Sequence, residues 1–555
     1  MAIRPNFAAP PLVQAEALPL GAGSVRWSAS NGAWNVYTEL GGFADEPCAW
    51  EAGLRLAALL TDQPLESVFA ERIRDAVKEQ DEDGSWPGAF RDGLATARAC
   101  FSLWRLSGES DLLRASAAWL SWFASRMDEL IAAGAGEHLA DLWELLENMY
   151  RVTGRKPALK LLSLLRQSGM DWASALHTFS LQRGMEQTVS FADLQAETAG
   201  EDADRRAHYR RMAAMYHAET LGDGMRAALL QGRFSGNAAE LTAGRVGWEK
   251  ISRWHGAACG GTTADEYLAG RLPSRGICDG AVGAWAETFA LLSEEKDGAW
   301  AVDELERIVC NALPAAKAGL QRVNSVPGTE RRQEPYARIT DRAHEAARLA
   351  RGWASAASHA VLQRPEGAEI QLFCPGLYHL WMRDQPAVLK ISRADQMTFT
   401  LELAVRQESE SELRIRIPAW AEHAVIALPE GGEETPQAGS CFTLKRVWKE
   451  TAKLTVRLTP ALRTEEGPRQ SVAVYLGPWL MSMPAQESGW NAAAAGQPVK
   501  TEAGVELPVR GVPAWTKPEE LPVLPSAAGE TRQAPLRRYA ETANGVALFP
   551  RERGT

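Results

Sequence analysis

The densest run of chemically capable side chains lies between Trp254 and Gly280, WHGAACGGTTADEYLAGRLPSRGICDG. It places His255, Cys259, Asp265, Glu266, Arg271, Arg275, Cys278 and Asp279 in one Gly-containing segment between helical patterns. A long loop between helices is where a fold presents functional groups. A carboxylic acid in such a loop can protonate a leaving group, provided burial raises its pKa. Glu266 is the candidate, and a solvated surface carboxylate is the plain alternative. His217, in MYHAETLG, and His255 also lie on helical patterns, where a half-buried, satisfied histidine is the ordinary outcome.

These residues need a frame. With 555 residues the chain is long for one domain at roughly 150 residues per domain, and a helical toroid followed by β modules fits that length. The first half alternates amphipathic helical stretches with short polar breaks. LRLAALLTDQPLESVFAERI, CFSLWRLSGESDLLRASAAWL and LENMYRVTGRKPALKLLSLL repeat one pattern, with Thr61, Ser107 and Thr153 spaced 46 residues apart. A repeat of that length is a pair of antiparallel helices that must stack to bury its apolar faces. After about residue 357 the period changes to two, in AEIQLFCPGLYHL, MTFTLELAVRQ, SELRIRIPAW, AEHAVIAL, CFTLKRVW, AKLTVRLTP and QSVAVYLG. Alternation bounded by Pro, Gly and Asn/Asp reads as antiparallel strands, and seven of them suggest a β-sandwich. The expected organisation is a helical domain over 1–356, an antiparallel β-sandwich over 357–487 and an extension of little regular structure over 488–555.

Composition narrows the function. Lys+Arg is 60 against Asp+Glu 70, a net charge of −10, with no basic cluster to hold a phosphate backbone. Nucleic acid is therefore not the expected partner, and a neutral small molecule is. Seven cysteines with no CxxC read as reduced thiols, so a cytoplasmic location is expected. The N-terminus lacks the apolar core of a signal peptide, and no run of about 18 apolar residues suggests a membrane span. The 20 Trp can stack on sugars, but most are expected to fill cores. A homo-oligomer is compatible with this composition.

Four stretches in order, from about residue 45 to about 485, resemble the β-L-arabinofuranosidase-type glycosidases, glycoside hydrolase family 127 and relatives. GGTTADEYLAGRLPSRG followed by Cys278 is similar to the family's acid/base loop. DELERIVCNALPAA (Asp303 to Ala316) is similar to its helix ending in "FNALPA", RIPAWA (Arg416 to Ala421) to its β-domain signature, and YLGPW (Tyr475 to Trp479) to its "RGPLV" strand. The resemblance implies an (α/α)6 barrel followed by β-sandwich domains. It also implies a retaining mechanism, in which a Glu protonates the leaving oxygen and a zinc-bound cysteine thiolate attacks the anomeric carbon. The metal is held by Glu-x-Cys on the loop and a later Cys-Cys pair, so that zinc keeps the thiol deprotonated.

This chain departs from that pattern. Glu266 matches the acid/base position, but Gly276-Ile277-Cys278 stands where Glu-x-Cys is expected, and no Cys-Cys pair exists. Arg338-Ile339 falls roughly where the pair belongs, and no His occurs near Phe90-Arg91-Asp92, where the family has one. The expectation is therefore a glycosidase without bound zinc or other cofactor, acting on a small saccharide, with Glu266 as general acid and Asp341 as the partner carboxylate. His217, His255 and Tyr336 would line the sugar site. The alternative is a sugar-binding protein that has lost the reaction. QDEDGSW (Gln80 to Trp86) also resembles the repeats of triterpene cyclases, but their DxDD proton donor is absent, and a helix-terminal turn plugged by Trp is the simpler account.

Overall fold

The 3.6-residue pattern of the first half folds as helix pairs, and the period-two pattern of the second half folds as sheets. The computed structural model describes residues 18–19, 25–27, 31–60, 68–132, 139–154, 156–271, 276–316, 322–323, 341–383, 385–467, 471–483, 491–512, 530–542 and 547–549. Two of the sequence repeats are visible as hairpins. Phe90–Ser107 turns at Gly108 into Ser110–Ser125, and Ala140–Thr153 turns at Gly154 into Lys156–Ser168. Gly108 (φ 77°) and Gly154 (φ 64°) take the left-handed conformation and return their N–H groups to Trp104 and Tyr150 carbonyls. Glycine does this without a Cβ penalty, which is why the repeats break there. Thr61 lies outside the described residues, but Pro47–Leu60 and Val68–Lys78 form the third pair.

Six helices pack in succession: α1 (Pro47–Leu60), α2 (Phe90–Ser107), α3 (Ala140–Thr153), α4 (Ala218–Ser235), α5 (Asp279–Leu292) and α6 (Arg342–Ser358). Each contacts the next, and α6 also packs on α1. The second helix of each pair lies against the first. Ser110–Ser125 buries only Leu112, Ala115, Ser116, Trp119, Leu120 and Phe123, one stripe at i, i+3, i+4, i+7 spacing. In contrast α4 and α5 are buried nearly all round. Trp119, Trp143, Trp285, Trp353 and Trp448 are fully buried, as expected of core indoles. Gln80 to Trp86 is the anticipated plugged turn: Trp86 Nε1 donates to the Ala76 carbonyl at 2.8 Å and Gln80 Nε2 to Gly84 at 2.9 Å.

The β region contains two sheets within 361–460. One has the order Leu18–Pro19, Val361–Arg364, Gly367–Ile370, Ser409–Arg416, Cys441–Trp448. The other runs Glu433–Glu434, Ala421–Ala427, Thr451–Pro460, Thr398–Val405, Gln385–Arg393, Gly376–Met382, Val25–Trp27. Strands such as Thr398–Val405 bury every second residue, which is the alternation read from the sequence. Pairing is not wholly antiparallel, because Gly367–Ile370 and Ser409–Arg416 run parallel. The C-terminal stretch expected to have little regular structure instead supplies Asn491–Ala494, Val499–Thr501, Gly504–Val512 and Arg532–Arg538 to a third sheet. Its other strands are Leu462–Glu466, Val472–Leu476 and Trp479–Ser482, so strand pairing divides the β region near residue 461, not 487.

The signature stretches join these parts. Arg416 and Trp420 of RIPAWA both reach Glu306 Oε2, at 3.0 and 2.8 Å, and Arg416 also pairs with Asp303. Asn311 lies in the π-helical turn Ile308–Ala312. That turn aims its amide at the last signature: Nδ2 donates to the Pro478 carbonyl at 2.9 Å, and Oδ1 accepts from Leu480 N–H at 2.7 Å. Tyr475 Oη donates to the Ala258 carbonyl at 2.6 Å, which ties the third sheet to the Trp254–Gly280 segment.

Glu306 is buried and serves two donors, so removing it takes the acceptor from Trp420 Nε1 and one of two carboxylate partners from the buried Arg416. Glu306→Ala is expected to destabilise the chain by about 3 kcal/mol, the scale for breaking a buried pair. Urea unfolding measures this, and a loss below about 0.5 kcal/mol, typical of an exposed pair, would contradict the docking role.

Candidate active site

The Trp254–Gly280 segment is built around His255. Its ring is fully buried; Nε2 donates to the Leu181 carbonyl at 2.9 Å and Nδ1 accepts from Gly270 N–H at 3.0 Å. Burial pushes its pKa down to about 4, so the ring is neutral at pH 7. With both nitrogens used by backbone, His255 holds the loop and has no atom left for substrate, contrary to the expectation from sequence.

The loop returns through two short paired strands, Ala264–Asp265 and Tyr267–Leu268, with Glu266 at the apex. Glu266 has φ 74°, the left-handed region, which is uncommon for a residue with a Cβ. Its carbonyl accepts the Ala218 N–H at 3.1 Å, which pins the turn to the start of α4. Its side chain is exposed, so the burial required of a general acid is not found here. His217 caps α4: Nδ1 accepts from Thr220 N–H at 3.3 Å, and its ring stands edge-on to Tyr267 at 5.4 Å. Burial lowers the His217 pKa, opposed by Glu219 and Glu266. The cap uses Nδ1, so Nε2 is the nitrogen with which His217 can meet a ligand.

Asp341 is the N-cap of α6 and accepts the His344 N–H at 3.0 Å. It is exposed and serves helix termination, not the facing carboxylate expected from sequence. Tyr336 and Arg338-Ile339 lie outside the described residues.

Sequence reasoning missed the carboxylates that do meet here. Glu219 in the first turn of α4 and Glu345 in the first turn of α6 converge on Gly280 in the first turn of α5. A Cβ at residue 280 would lie 2.8 Å from both Glu345 oxygens and 2.9 Å from Glu219 Oε2. Glu219 Oε1 receives Arg348 Nε at 2.6 Å and His344 Nε2 at 2.7 Å. Burial would raise its carboxyl, but Arg348 and His344 hold it well below the usual carboxylate range. Glu345 has the opposite balance. Burial, then the Glu219 charge, raise its pKa to about 7 against His344, the Gly280 N–H and Arg348. Glu345 Oε2 is buried and finds no hydrogen-bond partner among the described residues.

Behind this pair the axis between the helices is filled with charge. Arg348 also contacts Asp223 and Glu287, the latter at 3.2 Å, and Arg351 bridges Glu287 at 2.8 Å and Asp141 at 2.6 Å. Arg226 meets Asp141 at 2.9 Å and Asp223 at 2.6 Å. Burial would raise the Asp141 carboxyl, but Arg351, Arg98 and Arg226 hold it well below its usual range. The residues spaced 219/223/226 on α4 and 344/348/351 on α6 occupy one helix face each, a signal present in the sequence.

Residues 385–459 match the family model described as the beta-L-arabinofuranosidase, GH127 middle domain. Over this stretch the chain is similar to the middle domain of glycoside hydrolase family 127. Whole-chain likeness agrees in fold. A solved structure named only as a glycoside hydrolase gives a TM-score of 0.71 at 15% identity, covering 97% of this chain and 98% of that one. A GH127 β-L-arabinofuranosidase from Geobacillus stearothermophilus T6 gives 0.65 at 16% identity, covering 95% of each chain. A further GH127 β-arabinofuranosidase gives 0.64 at 11% identity, covering 97% and 98%. No curated protein matches the sequence.

The zinc–thiolate centre implied by the GH127 resemblance does not fit these residues. Cys278 caps α5, and burial followed by the Glu345 charge pushes its thiol well above its ordinary pKa. Gly276 and Ile277 are strand residues paired with Arg322–Val323, and no three His, Cys, Asp or Glu side chains cluster as metal ligands among the described residues.

The raised pKa of Glu345 sets a sign for stability. The folded chain binds this proton up to about pH 7, the unfolded chain only to about pH 4.5. Between these values the native state holds more protons, so stability falls as pH rises, by about 3 kcal/mol in all. Glu345→Gln is expected to flatten the wild-type decline in unfolding free energy between about pH 5 and pH 8. Urea titrations at several pH values measure it; identical slopes in both proteins would contradict the assignment.

Proposed function

We propose that the protein is a glycoside hydrolase of the GH127 type, an (α/α)6 barrel followed by β-sheet domains, that cleaves small saccharides of the β-L-arabinofuranoside class in the cytoplasm. The observation that carries this reading is the meeting of the Glu266 turn with the first turns of α4, α5 and α6. His217, Glu219, Gly280, His344 and Glu345 come together there, in a chain whose residues 385–459 match the GH127 middle-domain model. Glu266 is the rim carboxylate in this reading and accepts hydroxyl hydrogens of the sugar, with His217 beside it. The left-handed backbone at Glu266 supports this, because such conformations concentrate at binding and catalytic positions. Asp341 is not assigned a chemical role, since its carboxylate caps α6.

A second reading, saccharide binding without turnover, is favoured by one observation: the sequence holds no Cys-Cys pair, so the thiolate nucleophile that the family resemblance implies is absent. Hydrolysis of aryl glycosides, including β-L-arabinofuranosides, separates the two, with calorimetric binding of the same sugars. Loss of a charged hydrogen bond in Glu266→Gln is expected to weaken saccharide binding by roughly 1.5–3 kcal/mol, about 10- to 150-fold. Binding without release of the aryl group would establish the second reading. Unchanged affinity and turnover in Glu266→Gln would move the site elsewhere.

A further inference from the structure

The geometry points to Glu345 and Glu219 as the proton donor and the nucleophile of glycoside cleavage in this chain, standing in for the zinc-bound thiolate; this rests on the saccharide reading above. The two side chains come from different helices, and three of their oxygens crowd within 2.9 Å of one point, the place a Cβ at residue 280 would take, so that only glycine fits there without displacing them. Glu219 is oriented for attack: Oε1 is taken by Arg348 and His344, and Oε2 faces the Gly280 space. Glu345 is 7% exposed and presents both oxygens to the same space, with Oε2 lacking a partner among the described residues.

Their surroundings divide the roles. Glu219 accepts from Arg348 and His344 on α6, which hold its carboxyl well below the usual carboxylate range, so it is ionised. Glu345 faces Glu219 on α4, the Gly280 N–H in the first turn of α5, Cys278 just before it, and His344 and Arg348 on its own helix. The balance keeps its proton to about pH 7. Two carboxyls pushed to opposite protonation states are the arrangement that acid and nucleophile require.

In the first step the Glu345 proton passes to the glycosidic oxygen as its bond to the anomeric carbon breaks. Glu219 Oε2 bonds to that carbon, and the alcohol departs. In the second step a water gives a proton to the Glu345 carboxylate while its oxygen displaces Glu219, restoring both groups and releasing the sugar. Two displacements retain the anomeric configuration. Oxygens sharing one small space suit the roughly 5–5.5 Å separation of retaining pairs, not the roughly 6.5–9.5 Å of inverting ones.

The test compares wild type, Glu345→Gln and Gly280→Ala on alkyl and activated aryl glycosides, with product anomers followed by NMR. Glu345→Gln should lower kcat/KM on alkyl glycosides about 10²–10⁴-fold. The loss should be much smaller where the leaving phenol needs no proton, and the alkaline limb near pH 7 should vanish. Gly280→Ala keeps every charged group and should lower kcat by filling the shared space, so it tests the proposal even if Glu345→Gln does not fold. Unchanged leaving-group and pH dependence in Glu345→Gln, or full activity in Gly280→Ala, would overturn the pair while leaving the saccharide reading intact. Inversion would overturn the assignment of Glu219. A wild type that hydrolyses none of these glycosides would overturn the catalytic pair and the hydrolase reading together.

Discussion

Arg348 is the junction on which the rest of the helical region depends. A guanidinium buried among helices must find its counter-charges within reach, because an unpaired buried ion costs several kcal/mol. Two helices meet that demand for Arg348 of α6: α4 with Glu219 and Asp223, and α5 with Glu287. Meeting it fixes how far each helix slides along its neighbours. The same register that seats Arg348 brings the first turns of all three helices together. Glu345 is a by-product of this bookkeeping: the nearby cations are already committed to Glu219, Asp223 and Glu287, so it is left buried beside a negative charge. The unusual proton of Glu345 follows from how its neighbours' charges are spent.

The second constraint is the attachment of the sheets. Three of the four stretches that carry the family resemblance do no chemistry. Glu306 and Asn311, on and just after the helix Ala299–Arg307, bind the RIPAWA and YLGPW stretches, and Tyr475 binds the base of the Glu266 loop. His255 holds the other side of that loop to Leu181. The loop is therefore clamped by the third sheet at Ala258 and by a buried imidazole, which gives the Glu266 turn a fixed base.

Much of the architecture was legible because it rests on local rules. Gly108 and Gly154 mark helix ends through a backbone preference, and Thr398–Val405 shows its strand period directly. The C-terminal strands were hidden by Pro508 and Pro535, which suppress a strand reading yet occupy paired positions opposite Gln533 and Glu506. The site was less legible. His255 and Asp341 have residue types suited to chemistry, but backbone hydrogen bonds, tertiary for His255 and a local helix cap for Asp341, give them structural work. Glu219 and Glu345 read as ordinary charged helix residues, because the burial that changes them comes from helices more than 50 residues distant in sequence. The one available signal was charge repeated at 219/223/226 and 344/348/351, the spacing of a single helix face.

The central claim is that a carboxylate, not a thiol, forms the bond to the sugar. Covalent trapping with a mechanism-based furanoside carrying an activated leaving group, followed by peptide mass mapping, tests this directly. The account predicts one sugar adduct per chain as an ester on Glu219. An adduct on Cys278, or turnover of the reagent with no enzyme-bound sugar at any time, would contradict it.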